Sequence, residues 1–181
     1  IEDPIEYEIP NITQTQVSKS RNYTFAMGLR SIVRQDPDVI LVGEIRDDET
    51  ANIAINAGLT GHLVLSTLHT NNAAGSVARL VEMGVRPNTI PNAVNAFIAQ
   101  RLVRILCSKC KESYEPAEET SNSLKEILSL ISPKAKIDIP KEIKSLWRAK
   151  GCIHCNGTGY KGRIGIFEVL TITDSITEKI V

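Results

Sequence analysis

The sequence has no surplus of charge: among its 181 residues, 21 Lys and Arg balance 21 Asp and Glu. That balance gives no preference for nucleic acid or an acidic membrane surface over any other partner. Aromatic residues are scarce, at 4%, too few for the stacking platforms that hold single-stranded nucleic acid. No stretch approaches the roughly 20 apolar residues of a membrane span, and no signal-peptide pattern is read in these residues. The dipeptide Gly-Lys occurs nowhere. It is the heart of the loop G-x-x-x-x-G-K-[S/T], whose amides cradle phosphates and whose lysine neutralises them. As it stands, the chain is expected neither to bind ATP tightly nor to hydrolyse it. Either that loop lies upstream of Ile1 or the protein is not a nucleotidase. A chain that opens on Ile1, without Met and inside a motif, is expected to be part of a longer one.

What is present suffices for a core, since 42% of residues are hydrophobic. In the first half strands and helices alternate. Phe25, Leu29, Ile32 and Val33 fall at helical spacing, and Pro37 disfavours helix before it. Val39 to Val42 is a continuous apolar run, expected as a strand covered on both faces. Asp47 or Asp48 can cap the next helix and Gly58 can close it. Leu63 to Leu68 reads as a second buried strand, and a third helix follows, capped by Asn71 or Asn72 and stopped at Gly84. This rhythm implies parallel strands in an α/β layer fold. Beyond a soft boundary at 84–87 the character changes. Ile90, Val94, Phe97, Ile98, Leu102 and Ile105 share one broad face of an expected packed helix. Residues 112–150 read as helical and charged, with turns at Pro116, Pro133 and Pro140, and a strand is expected over about 164–170.

Four constellations carry chemistry. In "DPDVILVGEIRD", Glu44 stands at the carboxyl end of a strand, where open parallel sheets bind ligands. A carboxylate there can hold Mg²⁺ or orient a water for attack on phosphorus; the plainer alternative is a surface pair with Arg46. In "IEDPIEYE", the four acids Glu2, Asp3, Glu6 and Glu8 repel one another unless a cation offsets them; the alternative is a solvated turn around Pro4. In "GLTGHLVLSTLHTNNA", His62 precedes the strand and His69 follows it. Six strand residues span roughly 20 Å, so the two imidazoles are not expected to share one phosphate. His69 belongs beside Glu44, while His62 suits a structural or subunit-contact role. Finally, Cys107-x-x-Cys110 and Cys152-x-x-Cys155 are two chelating pairs that together complete a tetrahedron. Gly157 and Gly159 permit the tight turn of a zinc knuckle. A closed four-thiolate site has no open position, so the zinc would be structural; the alternative is four reduced, unligated thiols. His154 is read as a bystander.

Taken together, these motifs resemble the secretion ATPase superfamily of type II secretion and type IV pilus assembly. "EDPIEY" is similar to its Asp box, "DPDVILVGEIRD" to its atypical Walker B, and "GLTGHLVLSTLHTNNA" to its His box. The cysteine pairs followed by "TGYKGRIGIFEVL" resemble its zinc-bearing C-terminal region. The resemblance implies the later portion of a RecA-like P-loop ATPase domain over residues 1–86, then a mostly helical zinc-binding subdomain over 87–181. It makes Glu6 the general base, Glu44 the Walker B glutamate that serves Mg²⁺, and His62 and His69 the His-box pair. Glu2 and Asp3 become the remaining Asp-box acids on the Mg-ATP side. It also implies a cytoplasmic homo-hexamer at the inner face of a prokaryotic membrane. That hexamer would work with a membrane platform protein and pilin or pseudopilin subunits, and without nucleic acid. The retraction branch of the superfamily lacks the cysteines, which favours the assembly or secretion branch here. A conjugation or type IV secretion ATPase and a non-catalytic zinc-stabilised interaction module stand as alternatives.

Overall fold

The structure is a computed structural model of the chain and describes residues 1–132, 135, 137–140 and 142–181, the side chain of Lys19 excepted. The turn expected at Pro133 lies outside the described residues. The chain forms two compact units, one made of Ile1–Gln100 with Phe167–Val181 and the other of Arg101–Ile166. The division expected at 86/87 and this one differ: residues 87–100 belong with the first unit.

In the first unit the elements run α1 (Phe25–Val33), β1 (Val39–Val42), α2 (Asp48–Leu59), β2 (Leu63–Ser66), α3 (Ala73–Glu82) and the single turn α4 (Ile90–Ala93). Each long helix starts on a side-chain cap. Thr24 accepts from the Met27 amide, Asp47 from Thr50 and Asn72 from Gly75, each stabilising by about 1 kcal/mol. Asp47 and Asn72 are among the caps expected for α2 and α3. Gly58 does not close α2, which continues through Leu59 to a cap at Thr60. A Cβ at Gly58 would meet the Ala93 carbonyl at 3.0 Å, so this glycine serves close helix packing instead. Gly84 does end α3, with φ of +79°.

β1 and β2 pair in parallel, Val39 opposite Leu63 through Val42 opposite Ser66. β2 is shorter than the expected 63–68, because the chain turns away to form the loop that carries His69. β1 is covered on one face only: Ile40 and Val42 are buried, whereas Val39 and Leu41 are half exposed. Those two border a cavity of about 610 Å³ shared with Ile9 and Ile12 of the opening segment. The core joins Phe25, Leu29, Ile40, Val42, Ala54, Leu80 and Ile90, with Leu170, Ile172 and Ile180 packed against it from the end of the chain.

The expected packed helix across 90–105 is largely a strand, β3 (Ala96–Leu106), and it forms a two-stranded ribbon with β6 (Tyr160–Thr171). Apolar residues three and four apart were compatible with a helix. Pairs such as Phe97-Ile98 and Leu102-Val103 fit a strand as well, and a partner more than 50 positions away decided between them. This face is packed only in part: Ile90 and Phe97 are buried, whereas Ile98, Leu102 and Ile105 are exposed. The second unit is therefore not mostly helical. Among the described residues it contains β4 (Glu112–Tyr114) antiparallel to β5 (Leu146–Arg148), one α-helix, α5 (Glu118–Ser129), and the cysteine region. The last helix, α6 (Asp174–Ile180), belongs to the first unit. The zero net charge is a sum of opposites. Arg101–Ile166 has 13 Lys and Arg against 7 Asp and Glu, and the remainder has 8 against 14.

Candidate functional site

Glu44 leaves the carboxyl end of β1 one residue after Gly43, and His69 follows the carboxyl end of β2. Because the strands are parallel and in register, both side chains emerge at the same end. His69 Nε2 lies 2.9 Å from Glu44 Oε2, and Arg46 pairs with the other carboxylate oxygen. Thr67 Oγ1 donates to the Gly43 carbonyl at 2.7 Å, fixing the end of β2 against the residue before Glu44. The Glu44 side chain is only 12% exposed. Desolvation, the largest single influence, pushes its carboxyl upward. The hydrogen bonds and charges of Arg46 and His69 together outweigh this and hold it below the ordinary carboxylate range. At neutral pH Glu44 is thus a compact, ionised acceptor, the form that a divalent cation or an attacking water requires.

The opening segment lies alongside this strand end. The Gly43 amide donates to the Ile1 carbonyl at 2.8 Å. A Cβ on Gly43 would stand 3.3 Å from that oxygen and 3.5 Å from Glu2 Cα, so the glycine permits close approach of two backbones. Glu2 is half buried and accepts from Gln14 Nε2 at 2.9 Å. Asp3, Glu6 and Glu8 are exposed. Among the described residues these acids form no cation-sized cluster. Among the described residues Glu6 forms no donor cluster with Glu44 and His69. His62 sits at the other end of β2, its Nδ1 within 3.1 Å of the Ala57 carbonyl and 3.2 Å of Thr60 Oγ1. It closes the end of α2 there, away from His69.

The second unit supplies a separate site. The Sγ atoms of Cys107, Cys110, Cys152 and Cys155 all lie within 4.8 Å of one another, with individual separations of 4.0, 3.8 and 3.7 Å. A tetrahedron with metal–sulfur bonds of about 2.3 Å has sulfur–sulfur edges of about 3.8 Å. The donor set and its dimensions therefore fit zinc. The amides of Cys152 and Gly159 each donate to Cys155 Sγ at 3.2 Å. For Cys155, desolvation is the largest influence and opposes ionisation, but these amides and the neighbouring thiols bring it down to about 6. Cys110 is pushed up to about 12, by desolvation and then by the other three sulfurs. Gly151, Gly157 and Gly159 all have positive φ; a Cβ at Gly151 would also strike the Gly157 carbonyl. His154 is exposed on the knuckle and belongs to no donor cluster among the described residues.

The pairing of Arg46 with Glu44, read from "GEIRD", is present. One contributor was not legible beforehand: Glu168, whose carboxylate accepts from the Ala73 amide at 3.1 Å, carried no signal.

Two parallel strands flanked by helices define an α/β class of fold, and solved structures share it. The pilus retraction motor PilT with bound ADP matches with a TM-score of 0.62 at 26% identity, over 99% of this chain and 39% of that one. The ATPase DotB of Legionella pneumophila, 23% identical, shares the fold with a TM-score of 0.57, over 98% of this chain and 37% of that one. The sequence pattern described as type II/IV secretion system protein matches residues 1–181, and the chain belongs to that family. It is 52% identical to the type II secretion system ATPase E of Vibrio cholerae over 99% of this chain and 33% of that protein. It is 51% identical to the type IV pilus assembly ATPase PilB of Thermus thermophilus over 100% of this chain and 19% of that protein. The chain thus spans about a third or less of the length of these relatives.

Proposed function

We propose that this chain is the Walker B, His-box and zinc-bearing portion of a hexameric cytoplasmic ATPase that powers type II secretion or type IV pilus assembly. One observation carries the reading: Glu44 and His69 leave neighbouring parallel strands at the same edge and meet at 2.9 Å. In this reading Glu44 serves the Mg²⁺ of bound ATP and His69 faces the terminal phosphate. Glu6 accepts the proton of the attacking water, with Glu2 and Asp3 completing the acidic wall. Mg²⁺, when bound, neutralises charge on the phosphate oxygens. His62, held by Ala57 and Thr60, keeps a structural or subunit-contact role. The four cysteines hold a structural zinc, and partners are the membrane platform and pilin or pseudopilin subunits. With no Gly-Lys loop of its own, the chain depends for turnover on a phosphate loop elsewhere in a longer protein.

In the full-length protein, Glu6→Gln is expected to leave ATP binding intact and to slow turnover by about 100-fold or more, the span of general-base contributions. Steady-state phosphate release together with nucleotide titration measures both. Unchanged turnover removes Glu6 from the role of base.

A further inference from the structure

The His69 ring is mostly exposed, so packing does not orient it; the backbone of its loop must. That loop is short and ends on α3, whose first residue, Ala73, is buried. A helix start leaves amide donors without partners in the helix itself. Asn72 Oδ1 takes the Gly75 amide at 2.7 Å. The Ala73 amide is out of its reach and is taken by Glu168 Oε2 at 3.1 Å, from a residue 95 positions away on β6. On the other side, Thr70 Oγ1 lies 2.9 Å from the hydroxyl of buried Ser76. The loop is therefore pinned at Thr67 to Gly43, at Thr70 to α3, and at Ala73 to Glu168. The last comes from farthest along the chain, 95 positions away, and a negative carboxylate at a helix start is favoured by the helix dipole.

We propose that Glu168 is a positioning residue for the His69 loop, holding the start of α3 so that His69 stays aligned on Glu44. The proposal rests on the reading of that pair as the edge of a nucleotide site. Because Glu168 already fills the anion position at this helix start, the terminal phosphate meets His69 and not the α3 amides. The side chain of Glu168 touches neither Glu44 nor His69; it acts through four residues of backbone.

The experiment uses the full-length protein and three readouts: kcat and KM for ATP, affinity for ADP, and hydrogen exchange at the Ala73 amide. Glu168→Ala is expected to lower kcat about tenfold, the scale of one lost hydrogen bond to a buried group. ADP lacks the terminal phosphate, so its affinity is expected to hold within about twofold. Glu168→Gln keeps a carbonyl acceptor and is expected to restore most of the rate and of the Ala73 protection. Unchanged kcat in Glu168→Ala overturns the proposal, as does a Gln variant no better than Ala. Equal losses of kcat, ADP affinity and melting temperature in both variants would show a role in folding alone, and would also overturn it. A wild-type protein without ATPase activity would instead sink the functional reading, and Ala73 exchange would still report whether Glu168 holds the loop.

Discussion

In the first unit Leu29, Ile40, Val42 and Ile90 are sealed from solvent. In the second, the buried side chains among the described residues are Cys107, Pro116 and Cys155. One centre is built from aliphatic surface removed from water, the other from four sulfurs at zinc spacing. The α5 helix shows the difference, since it has a hydrophobic stripe yet no buried residue. A segment of that size is marginal as an apolar core of its own, and metal binding then adds folding free energy. The surfaces differ as well, one acidic and one basic, although their charges cancel in the whole chain. A net charge of zero, read from composition, concealed a basic module.

The largest expected effect breaks the second unit alone. The purified protein should contain about one zinc per chain, and a chelator should unfold the cysteine region. Trp147, the single tryptophan, lies in β5, under the ammonium of Lys111 at 4.4 Å. Its emission therefore reports that unit specifically. Metal-free protein with unaltered Trp147 emission and unchanged melting would erase the contrast between the two centres. A smaller effect breaks the other side. Leu29→Ala should cost about 2–5 kcal/mol, seen as a lower denaturation midpoint of the α/β unit, with zinc content and Trp147 emission unchanged.

The smallest effect concerns the edge of the first unit. A carboxyl held below its ordinary value contributes stability that is complete above the unfolded pKa of about 4.3 and is lost as pH falls through the folded one. Glu44 has its pKa lowered in this sense. The melting temperature of the wild type should exceed that of Glu44→Gln by a constant few degrees near neutrality, at about 2–4 °C per kcal/mol. The gap should close in acid. A gap that widened in acid would mean that burial, and not Arg46 and His69, governs Glu44.

The sequence made the first unit readable because its signals are local. Helix caps lie within three residues of what they cap, and Val39–Val42 declares itself by composition. The meeting of Glu44 and His69 followed from two strand ends and one topological rule. The cysteine pairs were readable because metal geometry tolerates few spacings. What failed depended on distant partners. β3 was misjudged because β6 decides its form, and β1 looked doubly covered because an apolar run cannot say which of its faces is met. Glu168 was invisible because the amide it receives is 95 residues away.

The first unit is discontinuous, interrupted by Arg101–Ile166 and completed by Phe167–Val181. Leu170, Ile172 and Ile180 pack on its core from that final stretch. During synthesis, chain order and completion order therefore disagree. The cysteine unit is fully made before the acidic unit has its last wall. Metal capture can precede closure of the α/β core, and the nascent chain carries an unfinished apolar face until Phe167–Val181 leaves the ribosome.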